Sequence, residues 1–223
     1  MTECNMKVEL VAWTQGIPHM FADCSTEYAG NEPTEIVGRA AGICYDKEEK
    51  EDYDNFVRRV IKMGHESVIE HVSFTFRVEG VSRALTHQWV RHRLCSFSQR
   101  SQRYVRENES SYIMPHMEYM GNTEKRNDAV KKFVAAMNIA WEAYNQLLDL
   151  GVRGEDARYV LPNACETKIV WTANARELRH FFKMRLDKHA QWEIRNMARL
   201  MYDEVMAVAP VFFVDLKELR DGE

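Results

Sequence analysis

Residues Val72–Tyr104 read V-S-F-T-F-R-V-E-G-V-S-R-A-L-T-H-Q-W-V-R-H-R-L-C-S-F-S-Q-R-S-Q-R-Y. Its start is the clearest strand in the chain. Val72, Phe74, Phe76 and Val78 alternate with Ser73, Thr75, Arg77 and Glu79, the pattern of a sheet with one buried face. Ser82 then offers a side-chain oxygen to cap a helix through Arg83, Leu85, Trp89 and Val90, which delivers a basic cluster near its C-terminal end. From Arg77 to Arg106 there are seven arginines, no lysine and one acid (Glu79), a net charge of +6 in a chain whose net charge is -4. A guanidinium is a rigid fork of donors that grips phosphate or carboxylate in fixed geometry. A face made only for solubility would mix in lysines and acids.

Outward from this stretch, Lys7–Trp13 reads as a short strand. Pro33 suits the first turn of a helix running toward Cys44, weakened by Gly38 and Gly42. From Glu51, the residues Tyr53, Phe56, Val57, Val60 and Ile61 keep helical spacing, and Gly64 is a stop. His65–His71 follows as a connector. The longest helix is expected over Thr123–Leu150, with Val130, Phe133, Val134, Met137, Trp141, Tyr144 and Leu148 facing a core and Gly151 ending it. Glu155–Leu161 makes a short helix stopped by Pro162, Thr167–Thr172 a strand, and Ala175–Leu186 and Ala190–Ala209 two further helices. Helices dominate, strands are few, and strand–helix alternation is absent, which predicts an α+β fold. Without internal repeat or low-complexity linker, 1–223 is expected to be one domain.

The 223 residues are 45% hydrophobic and 29% charged, ordinary for a globular protein. No apolar run reaches a membrane span, and the N-terminus lacks a secretion-signal pattern. The five cysteines are scattered, odd in number and without a C-x-x-C pair, which suits reduced thiols in a cytoplasm. An acidic balance argues against bulk nucleic-acid binding.

Neither G-x-G-x-x-G nor a phosphate loop occurs, so nucleotide phosphates would have to be met by arginines, hydroxyls and backbone donors. Ser96, Ser98, Ser101, Gln99 and Gln102 add groups suited to base and sugar recognition around the arginines. Structural pairing with acids distant in sequence is the plain alternative. A second polar group runs from Asn174 to Trp192, where Arg176, Arg179 or His180, and Lys183 fall on neighbouring helical turns, and Arg185 and His189 are spaced to share a face. His65 and His71, with Glu66 and Glu70 between them, superficially resemble metal ligands. They lack the H-E-x-x-H spacing, as do His87 and His92, and no metal is expected. Cys95 lies among guanidiniums that can activate a thiol, against the simpler reading of a small, partly buried one. A rival function is single-stranded nucleic-acid binding, with Trp89, Phe97 and Tyr104 as stacking platforms.

R-H-R, seven residues, then Ser (Arg91, His92, Arg93 and Ser101) closely resembles the signature of the flavin-dependent thymidylate synthases. M-G-H-E-S-V-I-E-H before the strand, S-Q-R-Y after the signature, D-A-R-Y-V-L-P, W-T-A-N-A-R and M-R-L-D-K-H-A-Q-W-E-I look like that family's blocks, in its order. The resemblance implies that family's fold, with a small, mainly antiparallel sheet. It also implies methylation of dUMP to dTMP with methylenetetrahydrofolate as carbon donor and NADPH as reductant through FAD, by a homotetramer whose subunits share active sites. Ser67, Arg91, His92, Arg93, Gln99, Asn174, Ala175, Arg176 and His180 are then expected at FAD, with His65 beside its ring. Gln88, Trp89, Val90, Arg91, Gln99, Arg100, Ser101, Gln102, Arg103, Arg158 and Arg185 are expected at dUMP, some through backbone groups. Arg185 is expected to activate the pyrimidine, with no cysteine attack. Gln99, Gln102 and His180 stand where many members carry Glu, Gly and Asn.

Overall fold

The computed structural model describes residues 2–16, 32–43, 46, 52–106 and 111–222; Cys24, and Cys44 at the expected end of the first helix, lie outside them. In chain order the elements are β1 (Thr2–Glu3), β2 (Lys7–Trp13), α1 (Pro33–Ile43), α2 (Tyr53–Lys62), a 3-10 turn (Glu66–His71), β3 (Ser73–Ser82), α3 (Arg83–Trp89), β4 (Cys95–Gln99) and β5 (Ser111–Tyr112). Then come α4 (Thr123–Asp149), α5 (Gly154–Ala157) with a 3-10 turn (Arg158–Val160), β6 (Glu166–Asn174), α6 (Ala175–Arg185) and α7 (Trp192–Val208). Two 3-10 turns (Pro210–Phe212, Val214–Leu216) lead to α8 (Lys217–Asp221). The four-stranded sheet has the order β2-β3-β6-β4 and is antiparallel; β1 pairs parallel with β5 in a two-stranded sheet. The α+β, helix-rich expectation holds. No helix among the described residues is long and apolar enough to cross a membrane.

The caps fall where the sequence puts them. The Ser82 side chain accepts from the Leu85 amide at 3.0 Å, and Gly64 and Gly151 take φ of +79° and +87° just beyond α2 and α4. β1, β5 and the turns and short helix after α7 were not expected from sequence, and two elements nearer the signature also differ. The connector after Gly64 is wound into a 3-10 turn, and the arginine-rich stretch contains β4, whose alternation of Ser96 and Ser98 with Cys95, Phe97 and Gln99 is too polar to stand out in sequence.

Contacts divide the chain into two compact units, with strands β3, β4 and β6 each contributing residues to both. One spans Met1–Lys7, Val78–Arg91 and Ser98–Ile169. Its core includes Tyr112, Met137, Trp141 and Cys165, and α4 buries Met137, Trp141 and Tyr144 toward it while Val130, Phe133, Val134 and Leu148 stay half-buried. Gly80 sits here at φ +67°, its amide on Glu166 Oε1 at 3.1 Å; a Cβ would run into the Asn5 carbonyl.

The other unit spans Val8–Arg77, His92–Phe97 and Val170–Glu223. Its core is aromatic: Phe74 and Phe182 meet Phe213 edge-on, each at 5.6 Å, and Trp171 packs on Phe181 at 5.1 Å. Each such buried ring contributes about 1.5–3 kcal/mol through area removed from water. This packing fixes α6 against β3 and β6, the frame on which the polar groups below are mounted.

Candidate active site

A polar cavity of about 700 Å3 in this second unit is built on the start of α6. Strand β6 turns into the helix at Asn174, whose side chain accepts from the Glu177 amide at 2.9 Å. The Ala175 amide bonds the Val72 carbonyl at 2.7 Å, tying the helix start to the chain just after the turn Glu66–His71. Arg176, His180 and Lys183 line the cavity from one helix face; Arg179, about 100° round from His180, turns inward and is 2% exposed. Glu66 and Glu70 line it from the turn, and Leu94 adds an apolar wall. Arg176 pairs with Glu70 at 2.5 Å and Lys183 with Glu66 at 3.3 Å, partners 106 and 117 residues away. His65 and Ser67, both exposed, flank Glu66.

The signature Arg91-His92-Arg93 points its histidine inward, 4% exposed, and leaves both arginines exposed. His92 packs edge-on against Phe181 at 5.0 Å and His180 at 5.7 Å. Arg185, in the last turn of α6, donates through Nε to His92 Nε2 at 3.1 Å. Nε2 therefore carries the lone pair and Nδ1 the proton, which it directs to Glu177 Oε1 at 3.3 Å. Burial, then the charges of Arg185 and His180, lower the His92 pKa to about 4, so at physiological pH the contact with Glu177 is a hydrogen bond from a neutral imidazole rather than an ion pair. Burial raises the Glu177 carboxyl above its ordinary value and pulls the Arg185 guanidinium below its own.

His92, Glu177 and His180 each bring a ligand atom within 4.8 Å of the others, a trio unlike the His65–His71 set weighed from sequence. The tautomer argues against a metal there. A neutral imidazole has one lone pair, and while Nε2 accepts from Arg185, Nδ1 has none to give.

The remaining site residues lie in the first unit. Gln88 is half-buried, Trp89 fully buried and Val90 42% exposed, so Val90 does not face a core. Gln99 donates to Thr86 Oγ1 at 3.2 Å and Thr167 Oγ1 at 3.3 Å. Gln102 and Arg103 share a cavity of about 340 Å3 with Tyr144 and Gly154. Arg103 pairs with Glu155 at 2.6 Å, Arg158 Nε donates to the Glu155 carbonyl at 3.0 Å, and Ser101 Oγ accepts from the Arg103 amide at 3.2 Å, so these three are brought together. The Arg100 guanidinium is not with them. It lines a separate cavity of about 460 Å3 with Cys4 and Lys168, next to Glu166 at 3.5 Å.

The stacking-platform reading of the aromatics fails. Trp89 is buried, Phe97 lies 6.3 Å from the Trp171 ring, and of the three only Tyr104 is well exposed, at 78%. Cys95 donates to the His92 carbonyl at 2.7 Å, and burial pushes its thiol pKa up, the opposite of activation. Sequence reading passed over Glu177. The pattern Asn174-x-x-Glu177 reads as a capping box, in which the glutamate returns to its own helix start, yet its carboxylate meets a histidine 85 residues away.

Residues 26–211 match the family model described as thymidylate synthase complementing protein. Flavin-dependent thymidylate synthase of Clostridium tetani is 44% identical over 212 residues, covering 84% of this chain and 83% of that one. The Geobacter sulfurreducens protein of the same name is 46% identical over 193 residues, covering 82% of each. The crystal structure of a UMP/dUMP methylase, PolB from Streptomyces cacaoi bound with 5-Br dUMP, superposes with a TM-score of 0.79 at 26% identity and 96% coverage of both chains. Signature, α+β fold and sequence similarity over most of the length agree, and the chain belongs to the flavin-dependent thymidylate synthase family.

Proposed function

We propose that this protein converts dUMP to dTMP by reductive methylation, taking the carbon from methylenetetrahydrofolate and electrons from NADPH through bound FAD. The observation that carries the proposal is the family match over residues 26–211. The cavity at α6 has the donor set a flavin nucleotide needs. Arg176 and Lys183 suit phosphate oxygens, Asn174 and His180 suit sugar or base edges, and Leu94 can cover a ring face. Its lining also holds three carboxylates against two cations, so a pyrophosphate must draw Arg176 from Glu70 or recruit the exposed Arg93. The residues fit on those terms. When bound, FAD supplies the reducing equivalents.

This chain's own task is to hold and polarise the pyrimidine. Uracil is a poor carbon nucleophile until electron density is pushed to its ring carbon. A preorganised guanidinium against the imide favours the polarised or deprotonated ring, and Arg185, half-buried and aimed by His92, is the group for this. Arg103, Arg158 and Ser101 lie together as nucleotide-holding groups. The Arg103–Glu155 pair, with Arg103 54% exposed, can exchange for a phosphate at little cost. The Arg100 main chain is already engaged, its amide on the Lys168 carbonyl at 2.9 Å and its carbonyl accepting from Arg83 Nη2 at 2.8 Å, so Arg100 would have to give up one of these bonds to join them.

One domain over 1–223 is supported by the three strands that contribute to both compact units. A homotetramer with shared active sites, as the family resemblance implies, belongs to the same proposal. A cytoplasmic setting is supported by Cys4, Cys95 and Cys165 standing as thiols rather than in disulfides.

Purified protein is expected to show a flavin spectrum that changes on adding dUMP, and to release tritium from [5-3H]dUMP when folate and NADPH are supplied. A colourless protein that cannot be reconstituted with FAD and releases no tritium overturns the proposal. Cys95→Ala is expected to retain turnover within about threefold, since a half-buried thiol whose pKa is raised is a poor nucleophile; loss of turnover in a variant that folds and stays yellow would return Cys95 to the mechanism.

A further inference from the structure

We infer that Glu177 is a positioning residue for Arg185, acting through the proton it fixes on His92. The inference rests on Arg185 being the pyrimidine-activating group, and names what aims it. His92 touches both partners at once, Glu177 Oε1 on Nδ1 at 3.3 Å and Arg185 Nε on Nε2 at 3.1 Å. Arg185 is a donor in every protonation state it adopts here, so Nε2 must stay bare for this contact to exist. An imidazole alone does not guarantee that: its neutral form carries its proton on either nitrogen. Glu177 supplies the bias. A carboxylate accepts and does not donate, so it selects the Nδ1–H tautomer and excludes the one that would set an N–H against the guanidinium.

The ring has little freedom to escape. Phe181 and His180 pack edge-on against it at 5.0 and 5.7 Å, and the His92 carbonyl is held by the Cys95 thiol at 2.7 Å. Glu177 is anchored too, through the Asn174 cap on its amide at 2.9 Å. Charge supports the same assignment. His92 is faced by Arg185 and His180 as well as by Glu177, and with burial these two hold it neutral down to about pH 4, so the relay is intact throughout the neutral range. An anchored acceptor, a neutral ring and a donor in series make a device for orientation rather than for proton transfer. Arg185 sits in the final turn of α6, where the backbone alone would leave its long side chain many rotamers.

The test uses holoenzyme carrying Glu177→Gln, Glu177→Met or His92→Gln, with long-range proton–nitrogen NMR reading the His92 tautomer and tritium release reading turnover. Glutamine keeps a carbonyl that can accept from Nδ1, so it is expected to preserve the tautomer and keep turnover within about threefold. Methionine fills the volume with no comparable acceptor. It is expected to let His92 shift toward the Nε2–H form and to lower kcat about a hundredfold, the cost of a reacting group displaced by an ångström, with the flavin spectrum unchanged. His92→Gln keeps an acceptor for Arg185 and is expected to fall between the two. Should Glu177→Met prove too unstable to purify, the glutamine variants carry the test. A His92 that remains Nδ1-protonated in Glu177→Met, or in Glu177→Gln a lost tautomer with full turnover, overturns the inference. Failure of the underlying reading looks different: turnover would survive removal of Arg185, while the tautomer would still respond to Glu177.

Discussion

Arg185→Ala is expected to lower tritium release from [5-3H]dUMP by about 10²–10³-fold, the loss typical of removing one preorganised donor from a site of developing charge. The protein should still fold and still bind flavin. Arg185 is half-buried at the C-terminal end of α6, where a cation gains about 0.3–1 kcal/mol from the helix dipole. Its loss also leaves the buried His92 Nε2 without this donor, adding about 1–3 kcal/mol. A moderate fall in stability beside a large fall in rate is the signature expected of a functional residue. Arg185→Lys separates charge from geometry: an ammonium keeps the charge but loses the fork, so activity should recover only partly. A linked effect reads the same contact without catalysis. Arg185 is the second influence depressing His92, after burial, so His92 in Arg185→Ala should titrate above its present pKa of about 4 yet below its ordinary 6.5. Full turnover in Arg185→Ala, or an unchanged His92 titration, would each remove support for the assigned contact.

The difference between what could and could not be read from sequence is one of range. Strand β3 was legible because its pattern is local: Phe74 and Phe76 are fully buried while Thr75 and Arg77 are not. Ser82 and Gly151 were legible because capping and positive φ act within a turn of the residue concerned. The arginine-rich stretch looked short of acids only because its acids come from elsewhere. Arg100 meets Glu166 and Arg103 meets Glu155, so the plain reading as structural pairs is partly right for guanidiniums that the family resemblance expects at dUMP. Helical spacing could not choose between Arg179 and His180, which are adjacent on the helix; the depth of packing around Phe181 and Phe182 made the choice. Glu177 was hidden by a correct local rule, since Asn174-x-x-Glu177 does cap a helix, and only a partner 85 residues away reveals the carboxylate's second task.

Arg179 is the buried charge that fastens the C-terminal segment to the turn Glu66–His71, and Asp215→Asn is expected to cost about 3 kcal/mol of stability in urea unfolding. The guanidinium is 2% exposed and grips Asp215 with two bonds, Nη1 to Oδ1 at 2.6 Å and Nη2 to Oδ2 at 2.7 Å. It also reaches Glu66 through Nε at 3.2 Å and the Phe212 carbonyl. The two partners are unequal, because Asp215 is 50% exposed. Removing the aspartate charge leaves a buried cation with Glu66 as its remaining carboxylate partner. Removing the arginine frees an aspartate that water can solvate, so Arg179→Met should cost less than Asp215→Asn despite losing the larger group. The pH dependence has a definite sign. Burial alone would raise the Asp215 carboxyl, but hydrogen bonds and charge from Arg179 outweigh it and hold the pKa below the ordinary 3.8. The contribution is therefore complete above about pH 4 and fades as pH falls through the depressed value, so the gap between parent and Asp215→Asn should close in acid. Glu66 carries the consequence to function. It is shared by Arg179 and Lys183 at the cavity wall, so an Arg179 deprived of Asp215 leans more heavily on Glu66 and loosens Lys183. Weaker flavin retention on dilution of Asp215→Asn, measured at a urea concentration where both proteins are folded, is the expected result; equal retention would confine the clamp to stability.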